Sequence, residues 1–223
     1  DAAKLWQRAG IDVPLSFAGL RRRSGIGHAL RMFLSVFDML KVGVGPASSH
    51  TMGPMVAAAR FLDQLRASPF TVAGLGASLH GSLAFTGVGH ATDRAVILGL
   101  AGLQPATYNA AEAERQLDAV QASGQVTPEG LPTLSFNPKT DLRFDYEHTL
   151  PGHANGMVLR AKATQGDVIL QETFYSIGGG FVLTAEELSK GQDSDDGPPV
   201  PHPFKTANEM LAMCRAQGKS IAA

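Results

Sequence analysis

The segment from residue 43 to residue 54 constrains the fold of this chain most, because it forces a turn and then begins a helix. It reads Gly-Val-Gly-Pro-Ala-Ser-Ser-His-Thr-Met-Gly-Pro. Glycine allows backbone conformations that other residues resist, and proline fixes φ. Apolar residues then recur at three- and four-residue steps (Met55, Ala58 and Leu62), which predicts a helix over 51–68. Hydroxyls and free backbone N–H groups at a helix start favour a site for a carboxylate or a phosphate.

The same turn has a simpler interpretation, in which one hydroxyl caps the first turn of the helix. A cap needs one hydroxyl, whereas the turn offers Ser48, Ser49 and Thr51 together with the imidazole of His50. An imidazole can exchange protons near neutral pH. The surplus of polar groups therefore favours a binding or catalytic site.

A second glycine-rich segment, residues 81–93, ends a predicted strand and begins a predicted helix. His90 stands at the helix start, where the positive end of the helix dipole disfavours protonation of an imidazole. A neutral imidazole there is suited to accept a proton, although helix capping by Thr92 and Asp93 is the simpler interpretation. Gly87-Val88-Gly89 is not a nucleotide-binding fingerprint, because no third glycine follows at the required spacing.

Two later motifs have mainly structural interpretations. The sequence His-Ala-Asn-Gly-Met at 153–157 contains an Asn-Gly turn signal just before a predicted strand. Three consecutive glycines at 178–180 follow another strand and allow a bulge or a close backbone approach. Either motif could also contribute to a ligand site.

The remaining pattern predicts an α+β fold, a mixed β-sheet flanked by helices, because helices dominate the first half and strands the second. Further helices are expected over 90–102, 110–121 and 206–215. The expected strands cover 70–85, 133–136, 142–148, 157–163, 168–176 and 181–183. Residues 1–31 are interpreted as an N-terminal appendage, 32–190 as the main domain, and 191–223 as a linker and a helix.

Charge and cysteine content exclude several classes of function. A net charge of −1 gives no electrostatic basis for binding nucleic acid or an anionic membrane, and no apolar run reaches the length of about 20 residues that spans a bilayer. The single cysteine, Cys214, cannot form an internal disulfide or by itself hold a zinc ion or an iron–sulfur cluster. It is expected to lie in the core, and no metal site is expected in this chain.

In this order, the motifs resemble those of the bacterial iron–sulfur-dependent L-serine dehydratases, specifically their β domain or β subunit. The resemblance covers residues 35–223, and residues before Met32 lie outside it. It departs from the family pattern at Ala47, where the family usually has a third serine. The segments that carry it are Ser35–Leu40 with the turn after it, the 81–93 segment, His153 with Asn155–Met157, and Tyr175–Phe181.

The resemblance implies an L-serine ammonia-lyase that forms pyruvate and ammonia with a [4Fe-4S] cluster. The cluster's cysteines would belong to a separate α domain or subunit, so this chain is expected to be inactive alone. The resemblance also implies a homo-oligomeric enzyme of amino-acid degradation and gluconeogenesis. A cytoplasmic location is expected from the single cysteine. No nucleic-acid or membrane partner is expected, from the net charge and the lack of a long apolar run.

Within the resemblance, His90 is expected to transfer a proton and His50 to share the catalytic site. The alternative is that the base lies in the absent α domain. The residues expected to bind L-serine or support its site are Ser48, Ser49, Thr51, Ser82, Thr86, His153 and Asn155.

A second function stays open at this point. The β domain is also similar to the serine-binding regulatory domain of some D-3-phosphoglycerate dehydrogenases, which implies a non-catalytic domain that binds serine or another small anion. A metal hydrolase is disfavoured, because the histidines have neither helix-face spacing nor an accompanying carboxylate.

Overall fold

The computed structural model describes residues 44–190, 202, 204 and 206–221. The predictions for residues 1–43 and for most of the linker over 191–203 therefore lie outside the described residues. The described part contains a mixed seven-stranded sheet. Its strands are β1 (Gly74–Gly81), β2 (Gln125–Val126), β3 (Leu134–Ser135), β4 (Leu142–Asp145), β5 (Asn155–Lys162), β6 (Val168–Gly178) and β7 (Phe181–Thr184).

Strand β1 lies inside the sheet and determines its mixed character. One edge of β1 pairs antiparallel with β5 along the whole strand, from the Gly74–Lys162 pair to the Gly81–Asn155 pair. The other edge pairs parallel with β3 at its start and with β4 further along. Strands β5, β6 and β7 continue as an antiparallel meander. The predicted mixed sheet is thus confirmed.

Helices cover one face of the sheet. The longest, α1, contacts β5, β6 and β7 and also packs against α3, which in turn contacts α4. In chain order the described helices are α1 (Met52–Ala67), α2 (Ser82–Phe85), α3 (Thr92–Leu100), α4 (Ala110–Ser123), α5 (Pro138–Asp141), α6 (Ala185–Lys190) and α7 (Ala207–Gln217), with 3-10 turns at Val88–His90 and Pro105–Thr107. The helices predicted over 51–68, 90–102, 110–121 and 206–215 are therefore present, with ends that differ by a few residues. None of the described helices has the length and apolar character needed to cross a membrane.

The core forms where alternate strand residues meet these helices. On β1, Leu75 and Leu79 point into the core, because successive strand residues face opposite sides of a sheet. Phe61 of α1 meets Phe174 of β6 edge to face, with ring centroids 6.5 Å apart, and both side chains are fully buried. This helix–sheet contact holds α1, and with it the turn before α1, against the sheet.

The prediction of a strand across 70–85 is wrong at both ends. The strand covers only Gly74–Gly81, and the four residues after it form α2. Gly81 has a φ of +57°, and a Cβ there would lie 2.4 Å from the carbonyl oxygen of Ala154. The chain therefore leaves the sheet at Gly81, a conformation that glycine allows at low cost.

The expectation that Cys214 lies in the core is also wrong. Helix α7 carries no buried residue, and Cys214 is only half-buried. Its apolar residues made the helix look like a core element, whereas periodicity alone does not show what a helix packs against. The sequence pattern also missed three short elements, β2, α5 and α6.

We expect Phe61→Ala to lower the free energy of unfolding by about 3–5 kcal/mol, because the change leaves a cavity beneath α1. Chemical denaturation measures this loss. Phe70→Ala is the matched control: Phe70 is exposed, and its removal should change stability by less than about 0.5 kcal/mol. Equal losses in the two variants would contradict the position of Phe61 in the core.

Candidate functional site

Two turns from the glycine-rich segments, distant in sequence, meet at the end of β1. One is the turn at 47–51 that precedes α1, and the other runs from Gly81 through α2 to the 3-10 turn that ends at His90. Because β1 ends at Gly81, Ser82 begins α2 directly at the end of this strand. His50 and His90, predicted to share a site, are brought together here, with ring centroids 4.8 Å apart.

His50 is held by hydroxyl groups on both ring nitrogens. Its Nδ1 lies 2.9 Å from Ser49 Oγ, and its Nε2 lies 3.1 Å from Ser82 Oγ and 3.0 Å from Thr86 Oγ1. The side chain is buried, so these contacts replace water as its hydrogen-bond partners. Four of the predicted site residues therefore form one cluster: Ser49, His50, Ser82 and Thr86.

The hydrogen bonds of the hydroxyls show which ring nitrogen of neutral His50 carries the proton. Thr86 Oγ1 donates to the Ser82 carbonyl over 2.8 Å, so it accepts a hydrogen bond from Nε2–H of His50. Nδ1 then has the lone pair and accepts from the Ser49 hydroxyl. The ring is thus fixed in one tautomer by contacts on each side.

His90 is oriented by the same threonine. Its Nδ1 lies 2.9 Å from the Thr86 carbonyl oxygen, which can only accept, so Nδ1 carries the proton. When the ring is neutral, Nε2 has the lone pair, and no described residue makes a hydrogen bond to it. The ring is half-buried, and its contacts leave Nε2 available to a ligand.

Burial lowers the pKa of His50 below its ordinary value of 6.5, and the neighbouring His90 lowers it further, whereas a hydrogen bond involving Ser82 acts in the opposite direction. Two imidazoles whose rings lie 4.8 Å apart are disfavoured from both carrying a charge. His50 is therefore neutral at neutral pH. A neutral ring can accept a proton or a hydrogen bond.

Thr51 and Ser48 belong to the same turn as Ser49, but neither side chain hydrogen-bonds to His50. The Thr51 side chain is buried, and its hydroxyl lies 2.6 Å from the Val44 carbonyl and 2.5 Å from the Ala47 carbonyl. It makes no side-chain cap to α1, so the capping interpretation of this turn is wrong for Thr51. Ser48 is exposed, and its carbonyl accepts from the Gly53 N–H group. Thr51 thus holds the shape of the turn.

His153 and Asn155 lie next to the site and bond to the protein itself. The Nδ1 atom of His153 accepts from the Asn155 N–H group over 3.1 Å, and Asn155 Nδ2 donates to the Ser176 carbonyl over 3.1 Å. Asn155 is the β5 residue directly opposite Gly81. These contacts fix the β1–β5 strand pair at the end that precedes Ser82.

Sequence reasoning missed a buried polar chain behind the site, because His80 has no recognisable motif around it. Its Nδ1 donates to the His148 carbonyl over 2.9 Å, and its Nε2 lies 2.9 Å from Ser78 Oγ. Arg160 Nη1 donates to the same hydroxyl over 3.0 Å. The only available signal was the alternation of β1, which places Ser78 and His80 together on the face opposite Leu79.

The Asp145 carboxylate stabilises the loop that supplies the His148 carbonyl. The backbone N–H group of His148 hydrogen-bonds to this carboxylate and lowers the pKa of Asp145 to about 2, with further contributions from the His148 side chain and the Glu147 N–H group. Partial burial acts in the opposite direction. Asp145 therefore stays ionised throughout the neutral range and acts as a structural acceptor.

No cluster of metal-binding side chains is present within the described residues: no group of three or more His, Cys, Asp or Glu side chains could hold an ion. Cys214 lies half-buried on α7. One thiol does not fit an iron–sulfur cluster, which protein chains bind with several cysteines. The donor set of this chain therefore does not fit such a cofactor.

The fold and the site together define a class of protein: a helix-covered mixed sheet that presents a pair of histidines at a strand end, one held by hydroxyls and one by a backbone carbonyl. A family model described as "Serine dehydratase beta chain" matches residues 35–187. The chain belongs to this family. Residues 35–43 of the match lie outside the described residues.

Curated relatives agree with the family match. The chain is 39% identical over 194 residues to a Streptomyces coelicolor protein named L-serine dehydratase, covering 86% of this chain and 43% of the relative. It is 41% identical over 192 residues to L-serine dehydratase 1 of Escherichia coli, covering 84% of this chain and 41% of the relative. The chain thus spans less than half the length of these relatives.

We expect titration of the His50 ring, followed by nuclear magnetic resonance, to give a pKa below 6.5. Because the unfolded chain then binds a proton more readily than the folded chain, His50 should reduce stability as the pH falls below about 6.5. His90→Ala should raise the pKa of His50 part of the way, since burial remains. A His50 pKa at or above 6.5 in the unchanged protein would contradict this environment.

Proposed function

We propose that this chain is the β portion of an L-serine ammonia-lyase and contributes the proton-transfer side of its active site. The observation that carries the proposal is the pairing of His50 with His90, in which Nε2 of His90 is left available. The family match and the named relatives support L-serine as the substrate.

In the proposed reaction, Nε2 of His90 removes the Cα proton of L-serine. The electron pair of the Cα–H bond forms the Cα–Cβ double bond, and the Cβ–O bond breaks with its pair leaving on the hydroxyl oxygen, which is protonated to water. The resulting aminoacrylate takes up water and releases pyruvate and ammonia. Cα–H is a weak acid, so a positioned base contributes about 10²–10⁴-fold.

His50 assists the same step by staying uncharged. A neutral His50 avoids charge repulsion when His90 takes up the substrate proton. Its Nε2–H is held by Thr86 and Ser82, and its Nδ1 by Ser49. We therefore assign His50 and Thr86 to positioning rather than to the removal of the proton.

The turn before α1 is suited to the substrate carboxylate. Within the described part of the chain, the backbone N–H groups of Ser48 and Ser49 make no hydrogen bond, whereas those of His50, Thr51 and Gly53 bond to carbonyls of the turn. Two free N–H groups and the exposed Ser48 side chain can receive an oxyanion. Ser82 lies on the far side of His50 from Ser49 and completes the polar lining.

The departure of the hydroxyl is not assigned to this chain. The proposal retains a [4Fe-4S] cluster ligated by an α domain or subunit that is absent from this chain, because one cysteine cannot supply the ligand set. It also retains a cytoplasmic, homo-oligomeric enzyme in amino-acid degradation and gluconeogenesis. A likeness to the serine-binding regulatory domain of D-3-phosphoglycerate dehydrogenases belongs to the proposal as well.

We expect His90→Ala to reduce pyruvate formation by about 10²–10⁴-fold when this chain is combined anaerobically with the α portion of an L-serine dehydratase. The assay measures pyruvate from L-serine at saturating substrate. His202→Ala is the matched control, because His202 is exposed and lies outside the site. The control should retain normal turnover.

Turnover of His90→Ala within tenfold of the unchanged protein would contradict His90 as the base. Calorimetry on this chain alone separates the alternative function. If L-serine binds without the α portion, if Ser49→Ala weakens that binding, and if no turnover appears in the combination, the regulatory interpretation replaces the enzymatic one.

We expect Thr86→Val to lower kcat about tenfold or more, because it leaves the buried Nε2–H of His50 with a poorer partner. Thr86→Ser keeps the hydroxyl and should restore most of the rate. The pH profile of kcat measures how each change affects the titration of the histidine pair. We expect the profile to shift for Thr86→Val but not for Thr86→Ser. An unchanged pH profile in the valine variant would contradict the positioning role.

A further inference from the structure

A group of large apolar side chains is exposed beside the histidine pair. Phe85 is 65% exposed, Val88 67% and Tyr146 53%. We call these three residues, together with the half-buried Phe144, the aromatic rim. Contiguous exposed apolar surface is uncommon on a protein that stands alone and marks an interaction site.

The three aromatic side chains form one surface although two chain segments supply them, and Val88 lies in the loop that packs beside it. The rings of Phe85 and Tyr146 lie 5.5 Å apart, and those of Tyr146 and Phe144 lie 6.4 Å apart and nearly parallel. Gly87 lies on Phe144, because a Cβ at this position would come within 2.9 Å of the ring and 2.1 Å of the Leu83 carbonyl oxygen. This close approach holds the loop with Val88 against the strand that ends at Asp145.

The aromatic rim adjoins the short segment that carries Thr86 and His90. Phe85 directly precedes Thr86, whose side chain contacts His50 and whose carbonyl orients His90. Val88 lies between Thr86 and His90 in the same short segment. A partner that buries Phe85 and Val88 would therefore also cover the open side of the histidine pair and reduce its contact with water.

We propose that the aromatic rim is the docking surface for the α portion of an L-serine dehydratase, an inference that rests on the proposed function. The relatives are more than twice as long as their match to this chain, so most of such an enzyme lies outside the matched part. Proton transfer to His90 benefits from a second wall that excludes water. Docking on the rim supplies that wall and buries the exposed apolar side chains in one step.

The test uses a single polypeptide that joins this chain to the portion of Escherichia coli L-serine dehydratase 1 outside the match. The photo-cross-linker benzoylphenylalanine replaces Phe85 or Tyr146, one position at a time. Matched controls carry it at Phe70 or Val168, which are also exposed apolar positions, 44% and 46% exposed, on other parts of the surface. Thermal unfolding confirms that each variant is folded, and mass spectrometry identifies the cross-linked peptides.

We expect cross-links from positions 85 and 146 to peptides of the joined α portion, and none above background from positions 70 and 168. Cross-links to a second copy of this chain would overturn the proposal in favour of self-association. Absence of cross-links from a folded variant would overturn it as well.

The cross-linking result does not depend on turnover, so failure of this inference and failure of the proposed function are distinguishable. An inactive joined protein that cross-links from Phe85 supports the docking surface and counts against the lyase chemistry. An active protein without these cross-links supports the lyase chemistry and counts against the docking surface. Both results are obtained from the same preparation.

Discussion

The register between β1 and β5 is the constraint on which the site depends. The eight paired positions run to the Gly81–Asn155 pair, so the end of β1 is fixed by the strand beside it. Asn155 is tied in turn to β6 through the Ser176 carbonyl, and the Ser82 N–H group donates to the Ala154 carbonyl over 2.8 Å. A slip of one residue would turn every β1 side chain to the other face and remove Ser82 from His50.

This constraint explains why several residues that were expected to bind the substrate make hydrogen bonds within the protein itself. Asn155 and His153 hold the strand pair, and Thr51 holds the turn, so each affects the site through the backbone. Thr86 differs from them because it contacts both imidazoles, one through its hydroxyl and one through its carbonyl. The two histidines therefore adopt complementary tautomers that a single residue maintains.

Local signals in the sequence predicted much of the fold. The periodicity after Met52 gave α1 almost to its ends, and the β-branched runs gave β5, β6 and β7 within a few residues. The error at 70–85 arose because Gly81 ends β1 only through its positive φ and its close approach to Ala154, a contact between distant segments. The two-residue β2 strand exists through its pairing with β3, so no local pattern could show it.

The distinction between local signals and contacts of distant segments applies to the site as well. Glycine-rich turns and helix starts predicted that His50 and His90 are chemically important, and the resemblance placed them in one pocket. What the sequence could not provide was the direction of each hydrogen bond, because it depends on where β1 ends and on how the α2 segment folds back. That geometry leaves Nε2 of His90 as the available nitrogen and makes Ser49 a donor to His50. It also leaves Phe85 and Val88 exposed in the short segment that carries Thr86 and His90, which is the surface on which we propose that a partner docks.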